Sequence, residues 1–281
     1  MNKKLLLFDV DGTLVSYDGI VPQSCKDALK QAKDHGHYVF VVTGRTKNRA
    51  TVGNIEVSGM ICGNGAYIEC EGKVLKDQKL SLQQVIDITD YLDQHDLCYF
   101  MEGNGGLYGS HDFETKAVPA YQKYGHGGTP CIRDIYPMME FPQSMYQQNI
   151  TKINYVLNNY QDYLDFKNHF PQFQCLTWGG QGEEALFGDC ALPNIDKKTA
   201  IEQLIHYLQI NKQDIYAFGD AEVDIPMFEC AGTSICVGSG REAAKQAADY
   251  ISDDVKNDGI AKALKHFHII QKNLFSNLKV L

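Results

Sequence analysis

The hydrophobic pattern of the chain begins with an unbroken apolar run at residues 5–8 that leads directly into two acidic residues. A run without alternation predicts a strand that is covered on both faces, as in the middle of a parallel sheet. Asp9 and Asp11 follow the run, and Gly12 permits a sharp turn. Ligands of open α/β sheets bind at the carboxyl ends of strands, so the spacing favours two acids that share one ligand or metal ion. An Asp-Gly turn that closes a hairpin is the alternative.

A second apolar run, at residues 38–42, follows a segment with apolar residues at helical spacing over residues 22–36. The order strand, helix, strand predicts two parallel strands and an α/β fold. Thr43, Gly44 and Arg45 come next, at the same carboxyl edge. The threonine hydroxyl and the glycine amide suit a phosphate, although a Thr-Gly pair also marks an ordinary turn.

The pattern changes over residues 81–189, where short strands alternate with helices. The predicted segments are helices at 82–95, 113–124 and 160–170 and strands at 98–102, 106–109, 152–157, 173–178 and 185–190. Short strands with glycine-rich turns are typical of an α+β module on an antiparallel sheet. Residues 125–145 lack a clear period and are predicted to form a loop. We therefore expect one domain from residues 1–80 and 190–281, with the module inserted into it.

Two further patterns carry candidate residues. Asn64 and Gly65 lie between two apolar runs, which predicts a β-hairpin. Lys197 and Lys198 open a predicted helix, where a lysine has the unfavourable charge for the helix dipole. The alternative to a functional lysine there is a pair of solvated lysines.

A further strand is predicted over residues 214–219, and it leads into Asp220 with Asp224 four residues later. This strand brings another acid to the carboxyl edge of the sheet. Magnesium prefers hard oxygen ligands such as these carboxylates. The apolar tail that ends at Leu281 is expected to pack on the sheet.

The composition limits the classes of partner. The chain has 281 residues, 44% of them hydrophobic, and a net charge of −9, which suits one large or two medium domains. A negative charge argues against nucleic-acid or membrane-surface binding, because both favour basic patches. The apolar start of the chain is cut short by acids, which argues against a targeting segment, and no run is long enough to span a membrane. The nine cysteines are scattered without a Cys-x-x-Cys pair, so reduced thiols and a cytoplasmic location are expected.

The sequence Asp-Val-Asp-Gly-Thr at residues 9–13 resembles the first motif of the haloacid dehalogenase superfamily, and three other motifs follow in order along nearly the whole chain. The resemblance implies that Asp9 is a nucleophile and that Asp11 is a general acid and base. A carboxylate can accept a phosphoryl group and later release it to water, provided that a cation offsets the charge.

The second and third motifs imply the phosphate contacts. Thr43 and Gly44, with the adjacent Arg45, match the second motif. The third motif is a lysine that bridges nucleophile and phosphate, and the usual Lys-Gly-x-Ala pattern selects Lys197. The absence of glycine at the next position leaves Lys198 as the alternative.

The fourth motif, usually Gly-Asp-Gly-x-Asn-Asp, retains both acids as Asp220 and Asp224. Ala221 and Val223 replace its second glycine and its asparagine, and loss of the asparagine amide removes a polar contact near the phosphate. The implied magnesium site comprises Asp9, Asp11 through its backbone carbonyl, Asp220 and Asp224.

The chain is most similar to type IIB, Cof-like phosphatases of this superfamily. This resemblance implies a Rossmann-like core with a doubly wound parallel sheet, and it implies that residues 81–189 form an α+β cap that selects the leaving group. An Asn-Gly-Ala sequence like that at Asn64 faces the substrate in this branch. Candidate pocket residues in the cap are Tyr108, His111, His126, Arg133, Trp178 and Glu183.

We therefore expect a magnesium-dependent phosphatase that hydrolyses a small phosphorylated metabolite, with a sugar phosphate favoured, through a phosphoaspartate at Asp9. A phosphomutase of the phosphomannomutase type is one alternative. A phospho-ligand sensor with weakened catalysis is another, because Val223 departs from the motif. Neither a nucleic acid nor a membrane is an expected partner, and the sequence leaves the oligomeric state open.

Overall fold

The structure is a computed structural model. It describes residues 2–16, 19–50, 53–126, 128 and 130–271. The first of its two compact units comprises the described parts of Met1–Arg45, Arg49–Lys76 and Asp196–Leu281, and the second comprises Thr46–Asn48 and Asp77–Ile195. The second unit includes more residues than the predicted insert at 81–189. That this unit acts as a cap stays a prediction. The tail beyond residue 271, which was expected to pack on the sheet, lies outside the described residues.

The strands are numbered in chain order. They are β1 (Leu5–Phe8), β2 (Tyr38–Val42), β3 (Gly59–Cys62), β4 (Tyr67–Cys70), β5 (Lys73–Asp77), β6 (Tyr99–Gly103), β7 (Gly106–Gly109), β8 (Met139–Glu140), β9 (Ile150–Val156), β10 (Gln174–Trp178), β11 (Phe187–Ala191), β12 (Ile215–Gly219), β13 (Thr233–Cys236) and β14 (Tyr250–Ile251).

The α-helices are numbered in the same way. They are α1 (Gln23–Asp34), α2 (Lys47–Ala50), α3 (Leu82–Gln94), α4 (Phe113–Lys116), α5 (Val118–Tyr121), α6 (Ile132–Ile135), α7 (Tyr160–His169), α8 (Lys197–Leu208), α9 (Ile225–Cys230), α10 (Glu242–Ala247) and α11 (Gly259–His266).

The sheet of the first unit has the order β14-β13-β12-β1-β2-β3-β4-β5 among the described strands. Strand β1 is parallel to both of its neighbours, β2 and β12. The strand order therefore reverses direction at β1, which is the topological switch point where open α/β sheets bind ligands. The predicted α/β class with a parallel sheet is confirmed, and β3 and β4 form the hairpin that Asn64 and Gly65 predicted.

Both faces of this sheet are covered, which explains the unbroken apolar run of β1. Leu6 and Phe8 lie in a core with the buried residues of α1 and α11. Leu5 and Leu7 point the other way, into a core with α8 and α9. Side chains alternate between the faces of a strand, so a strand between two helical layers must be apolar at every position. The sheet is thus doubly wound.

The second unit is built on a separate sheet with the order β10-β11-β9-β6-β7-β8. The central pairs, such as β6 with β9 and β9 with β11, are antiparallel. One face packs on α3 and α7 through residues such as Tyr99 and Ile153. The predicted α+β character of this segment is therefore present in the structure.

The prediction of a loop over residues 125–145 is wrong in part. This segment contains α6 and the short strand β8, which pairs with β7. Ile132 and Met139 are 2% and 4% exposed, and both belong to a core with Phe113 and Tyr121. Isolated apolar residues give no sequence period, but tertiary packing buries them and orders the short elements.

Across the described residues, every helix is too short or too polar to cross a lipid bilayer.

Candidate active site

Two neighbouring parallel strands bring acids to the same edge of the first unit's sheet. Phe8 at the end of β1 pairs with Phe218 in β12. Asp9 directly follows β1, and Asp220 directly follows β12. Both acids are buried, at 7% and 1% exposure. The sequence separates them by more than two hundred residues, and the parallel pairing makes them neighbours.

Asp224 joins these two acids in one cluster. Oxygen atoms of Asp9, Asp220 and Asp224 lie within 4.8 Å of one another. Asp11 is outside this cluster, and its side chain is 57% exposed. Three hard oxygen donors at this separation could hold a divalent metal ion.

Residues of the loop after β1 fix the carboxylate of Asp220. The hydroxyl of Thr13 donates a hydrogen bond to Asp220 Oδ1 at 2.9 Å in a buried position. Gly12 has a φ of +88°, and a Cβ atom there would lie 2.3 Å from Asp220 Oδ2. A side chain at position 12 would therefore displace the carboxylate, so glycine is required by close approach as well as by the backbone angle.

Lys197 is the cation of the site. It is the first residue of α8 and is 7% exposed, and its Nζ lies 2.9 Å from Asp9 Oδ1 and 2.8 Å from Asp224 Oδ1. Lys198 instead pairs at the surface with Glu229, 2.8 Å away. Of the two lysines left open by the sequence, Lys197 is the one that the structure brings to the acids. Its unfavourable position in the helix dipole is offset by two carboxylates.

Both carboxylate oxygens of Asp224 accept hydrogen bonds. Oδ1 accepts from Lys197, while Oδ2 accepts the backbone N–H groups of Asp220 at 3.1 Å and Ala221 at 3.2 Å. The residue is fully buried. These donors suit Asp224 to hold the lysine and the loop, whereas Asp9 and Asp220 are the better candidates for metal ligands.

The electrostatics of the cluster show an excess of acid. Burial raises the pKa of Asp9 to about 7; Lys197 opposes this shift, and the nearby Asp224 and Asp220 add to it. Burial by itself lowers the pKa of Lys197, but the carboxylates of Asp9 and Asp224 outweigh burial and raise it. A bound divalent cation would favour the ionised form of Asp9.

Arg45, which the sequence placed in the phosphate-binding set, binds Asp11 in this structure. Its Nε donates to Asp11 Oδ2 at 2.9 Å, and its Nη2 donates to Asp11 Oδ1. Its Nη1 donates to the backbone carbonyl of Arg49 at 3.2 Å. The guanidinium thus makes a two-pronged contact with the carboxylate, a geometry that also fits phosphate.

Thr43, Gly44 and Asn64 come together at this edge. Thr43 is 2% exposed, and its Oγ1 accepts the backbone N–H of Arg45 at 3.1 Å. The backbone N–H of Asn64 donates to the Thr43 carbonyl at 3.1 Å. A Cβ atom on Gly44 would lie 3.0 Å from Asn64 Oδ1, so the Asn64 side chain lies against this glycine. The predicted phosphate residues therefore form one group in the first unit.

Among the described residues, Trp178, Arg133 and Tyr108 of the second unit contact residues outside the candidate set. Trp178 stacks on Phe187 with ring centroids 3.8 Å apart, and Arg133 Nε pairs with Glu114 at 2.6 Å. The hydroxyl of Tyr108 donates to a backbone carbonyl at 3.1 Å. The remaining candidates are His111 and Glu183, which are exposed, and His126, whose side chain lies outside the described part of the chain.

Sequence reasoning missed a buried polar group on the second unit's sheet. Glu102 and Asn154 are 3% and 1% exposed, and Asn154 Nδ2 donates to Glu102 Oε1 at 3.1 Å. Lys152 Nζ lies 3.1 Å from the same oxygen. Burial raises the pKa of nearby Asp189, and Lys152 opposes this shift. A signal for this group was present in the sequence: Lys152 and Asn154 occupy alternate positions of β9, so their side chains share one face of the strand.

Comparisons with known proteins cover nearly the whole chain. A family model described as haloacid dehalogenase-like hydrolase matches residues 6–264. The putative phosphatase YkrA of Bacillus subtilis is 24% identical over 96% of this chain and 100% of that protein. The 5-amino-6-(5-phospho-D-ribitylamino)uracil phosphatase YcsE of the same organism is 24% identical over 94% of this chain and 95% of that protein.

Solved structures share the fold. A hypothetical protein from Geobacillus kaustophilus HTA426 superposes with a TM-score of 0.76 at 24% identity, over 96% of this chain and 100% of that one. The subclass IIB sugar phosphatase BT4131 superposes with a TM-score of 0.68 at 22% identity, over 95% and 100% of the two chains. At these identities the likeness concerns the fold.

Proposed function

The chain belongs to the haloacid dehalogenase-like hydrolases, and from that premise we propose that it is a magnesium-dependent phosphatase with Asp9 as its nucleophile. The predictions of this family and of a hydrolase are confirmed by the family match, and the names of the relatives support a phosphoric monoester hydrolase. The proposal depends above all on one observation: Asp9 is buried next to Asp220 and is held by Lys197 at 2.9 Å.

The acidic cluster fits a magnesium ion. Magnesium takes oxygen ligands and retains several waters, so Asp9, Asp220 and the backbone carbonyl of Asp11 would suffice as protein ligands. The close packing of Asp220 on Gly12 keeps one of these carboxylates in place. When bound, the ion would offset the negative charge of the phosphate.

In the first half of the proposed reaction, Asp9 attacks the phosphorus atom of the ester. Lys197 fixes the orientation of the carboxylate through Oδ1 and favours its ionised form. A bond forms between an Asp9 oxygen and phosphorus as the ester oxygen departs. Asp11 gives a proton to that departing oxygen, and the alcohol leaves.

In the second half, water hydrolyses the phosphoaspartate. Asp11 takes a proton from the water, whose oxygen attacks phosphorus and releases the carboxylate of Asp9. The Thr43 hydroxyl, the Gly44 amide and Lys197 would contact the phosphoryl oxygens throughout both steps. Asn64 lies beside Gly44 and would contact the substrate next to the phosphoryl group.

A phosphorylated polyhydroxy compound is the proposed substrate class. One similar structure is described as a sugar phosphatase, and one relative is named for a phospho-D-ribityl compound. Both descriptions share a phosphorylated chain or ring of hydroxyl-bearing carbons. The second unit would select among such leaving groups, because the phosphate residues named above all lie in the first unit.

The test is turnover by the purified protein on a panel of phosphorylated sugars and polyols, with p-nitrophenyl phosphate as a generic ester. Phosphate release is expected with Mg2+ and is expected to stop in excess chelator. The Asp9→Asn variant serves as the control for contaminating phosphatases, because an amide cannot accept the phosphoryl group. Failure to hydrolyse any ester in the presence of Mg2+, or equal release by the variant, would refute the proposal.

A further inference from the structure

The pairing of Arg45 with Asp11 occupies the carboxylate that the proposed reaction needs for proton transfer, and it also occupies two donors that would fit a phosphate. Both carboxylate oxygens of Asp11 accept hydrogen bonds from the Arg45 guanidinium. A carboxylate that is engaged in this way is withheld from proton transfer to a leaving group. The guanidinium, in turn, is withheld from a phosphate.

The charges at this edge of the sheet favour an exchange of partners. The acids are Asp9, Asp11, Asp220 and Asp224. Lys197 contacts Asp9 and Asp224, and Arg45 contacts Asp11. An entering phosphate is a further anion, and each of these cations already holds at least one carboxylate. A phosphate can therefore pair with Lys197 or Arg45 when it displaces a carboxylate from that cation, and a metal ion would be a separate positive partner.

Arg45 is the cation that is easier to displace. Lys197 is 7% exposed and is shared by two buried acids. The side chains of Arg45 and Asp11 are 30% and 57% exposed, so water screens their attraction. The Arg45 fork matches two oxygens of a phosphate as well as it matches a carboxylate.

We propose that Arg45 is a latch that withholds Asp11 until a phosphate group arrives. The phosphate takes over the Nε and Nη2 donors of the guanidinium, and Asp11 is thereby released for proton transfer. This inference rests on the proposed function, and it gives Arg45 two roles, because the guanidinium binds the phosphate and also controls when Asp11 is available. The exchange itself makes and breaks hydrogen bonds and ion contacts, and the released carboxylate, which is 57% exposed, takes from the solvent the proton that it then gives to the departing oxygen.

Two further contacts let Arg45 change partners without leaving the site. Its Nη1 is held by the Arg49 carbonyl, and its backbone N–H is held by Thr43 Oγ1. Neither contact involves the Nε and Nη2 edge that faces Asp11. The latch therefore links the arrival of the phosphate at Thr43 to the availability of the acid.

Competition between Asp11 and phosphate is measured by a double-mutant cycle. The affinity for inorganic phosphate is determined by calorimetry, in the presence of Mg2+, for the wild type, Asp11→Asn, Arg45→Met and the double variant. Asn keeps the shape of Asp11 without its charge, and Met keeps the stem of Arg45 without its donors. We expect Asp11→Asn to tighten phosphate binding by about fivefold when Arg45 is present, and by less than about twofold when it is absent.

A matched control removes a different acid close to the site. Glu222 is exposed and lies between Asp220 and Asp224 in sequence, without a contact to Arg45 among the described residues. Glu222→Gln is expected to change phosphate affinity equally in the presence and absence of Arg45, because it alters the general field alone. Arg45→Lys is expected to restore part of the coupling, since a lysine offers a charge without a fork.

An equal effect of Asp11→Asn in both Arg45 backgrounds would overturn the latch, even in an enzyme with full turnover. The latch and the phosphatase function can fail separately, because the double-mutant cycle measures phosphate binding and not turnover. Coupling of more than about 2.5-fold in a protein that hydrolyses no ester would support the exchange of partners and would refute the proposed phosphatase function.

Discussion

Replacing Lys197 with methionine removes a cation that two buried carboxylates share. Methionine keeps an unbranched apolar stem of similar length, so packing changes little. Lys197 is 7% exposed, with Asp9 at 2.9 Å and Asp224 at 2.8 Å. Removal of one partner of a buried ion pair costs about 3–5 kcal/mol. We expect a loss of about 3 kcal/mol in the free energy of unfolding, at the lower end because proton uptake by Asp9 limits the cost.

The adjacent residue provides a matched control. Lys198 has the same chemistry and the neighbouring position in α8, but it pairs with Glu229 at the surface, where the two side chains are 45% and 57% exposed. Lys198→Met is expected to leave the free energy of unfolding unchanged within error. Turnover should fall by about a thousandfold in Lys197→Met and stay near the wild-type value in Lys198→Met.

Urea unfolding at pH 8 with a chelator, followed by circular dichroism, measures this difference. Trp178 is the one tryptophan of the chain and lies in the second unit, so its fluorescence reports that unit and not the one that contains Lys197. Equal stability of the two methionine variants would refute the account of Lys197 as a buried bridge between acids.

Three further outcomes are expected. Asp9→Asn should abolish turnover and leave the circular dichroism spectrum unchanged, because the replacement is isosteric; near-normal turnover would remove Asp9 from the role of nucleophile. Gly12→Ala should weaken Mg2+ binding by at least about tenfold in calorimetry, because its Cβ would lie 2.3 Å from Asp220 Oδ2; wild-type affinity would show that this contact is unimportant. Mg2+ at a hundred times its Kd should stabilise the wild type by about 2.7 kcal/mol and raise its Tm. Asp220→Asn should lose this rise, and an undiminished rise would place the ion elsewhere.

Much of the candidate site follows from sequence because parallel pairing is predictable. Apolar runs that end in acids placed Asp9 and Asp220 at one edge, and the structure joins them through the pairing of β1 with β12. The sequence could not decide between Lys197 and Lys198 and the structure was needed, because a shift of one residue along a helix turns the side chain by about 100°. The inward lysine is Lys197.

Other features had no local signal. Arg45 and Asp11 are 34 residues apart and lie on different loops, so their two-pronged contact depends on where those loops end. The buried pair of Glu102 and Asn154 depends on strand register in the second unit. Strand register is set by tertiary packing. The alternation within one strand shows which side chains share a face, but it does not show which residues of the next strand lie beside them.

Acid quenching of the working enzyme is a direct test of whether Asp9 carries the phosphoryl group during turnover. Saturating phosphomonoester and Mg2+ are mixed with the enzyme, the reaction is stopped in acid within milliseconds, and the digested peptides are analysed by mass spectrometry. We expect a phosphorylated peptide that contains Asp9, that loses the group to hydroxylamine as an acyl phosphate does, and that is absent from Asp9→Asn. A phosphorylated peptide from another part of the chain, formed at a rate that matches turnover, would contradict this expectation.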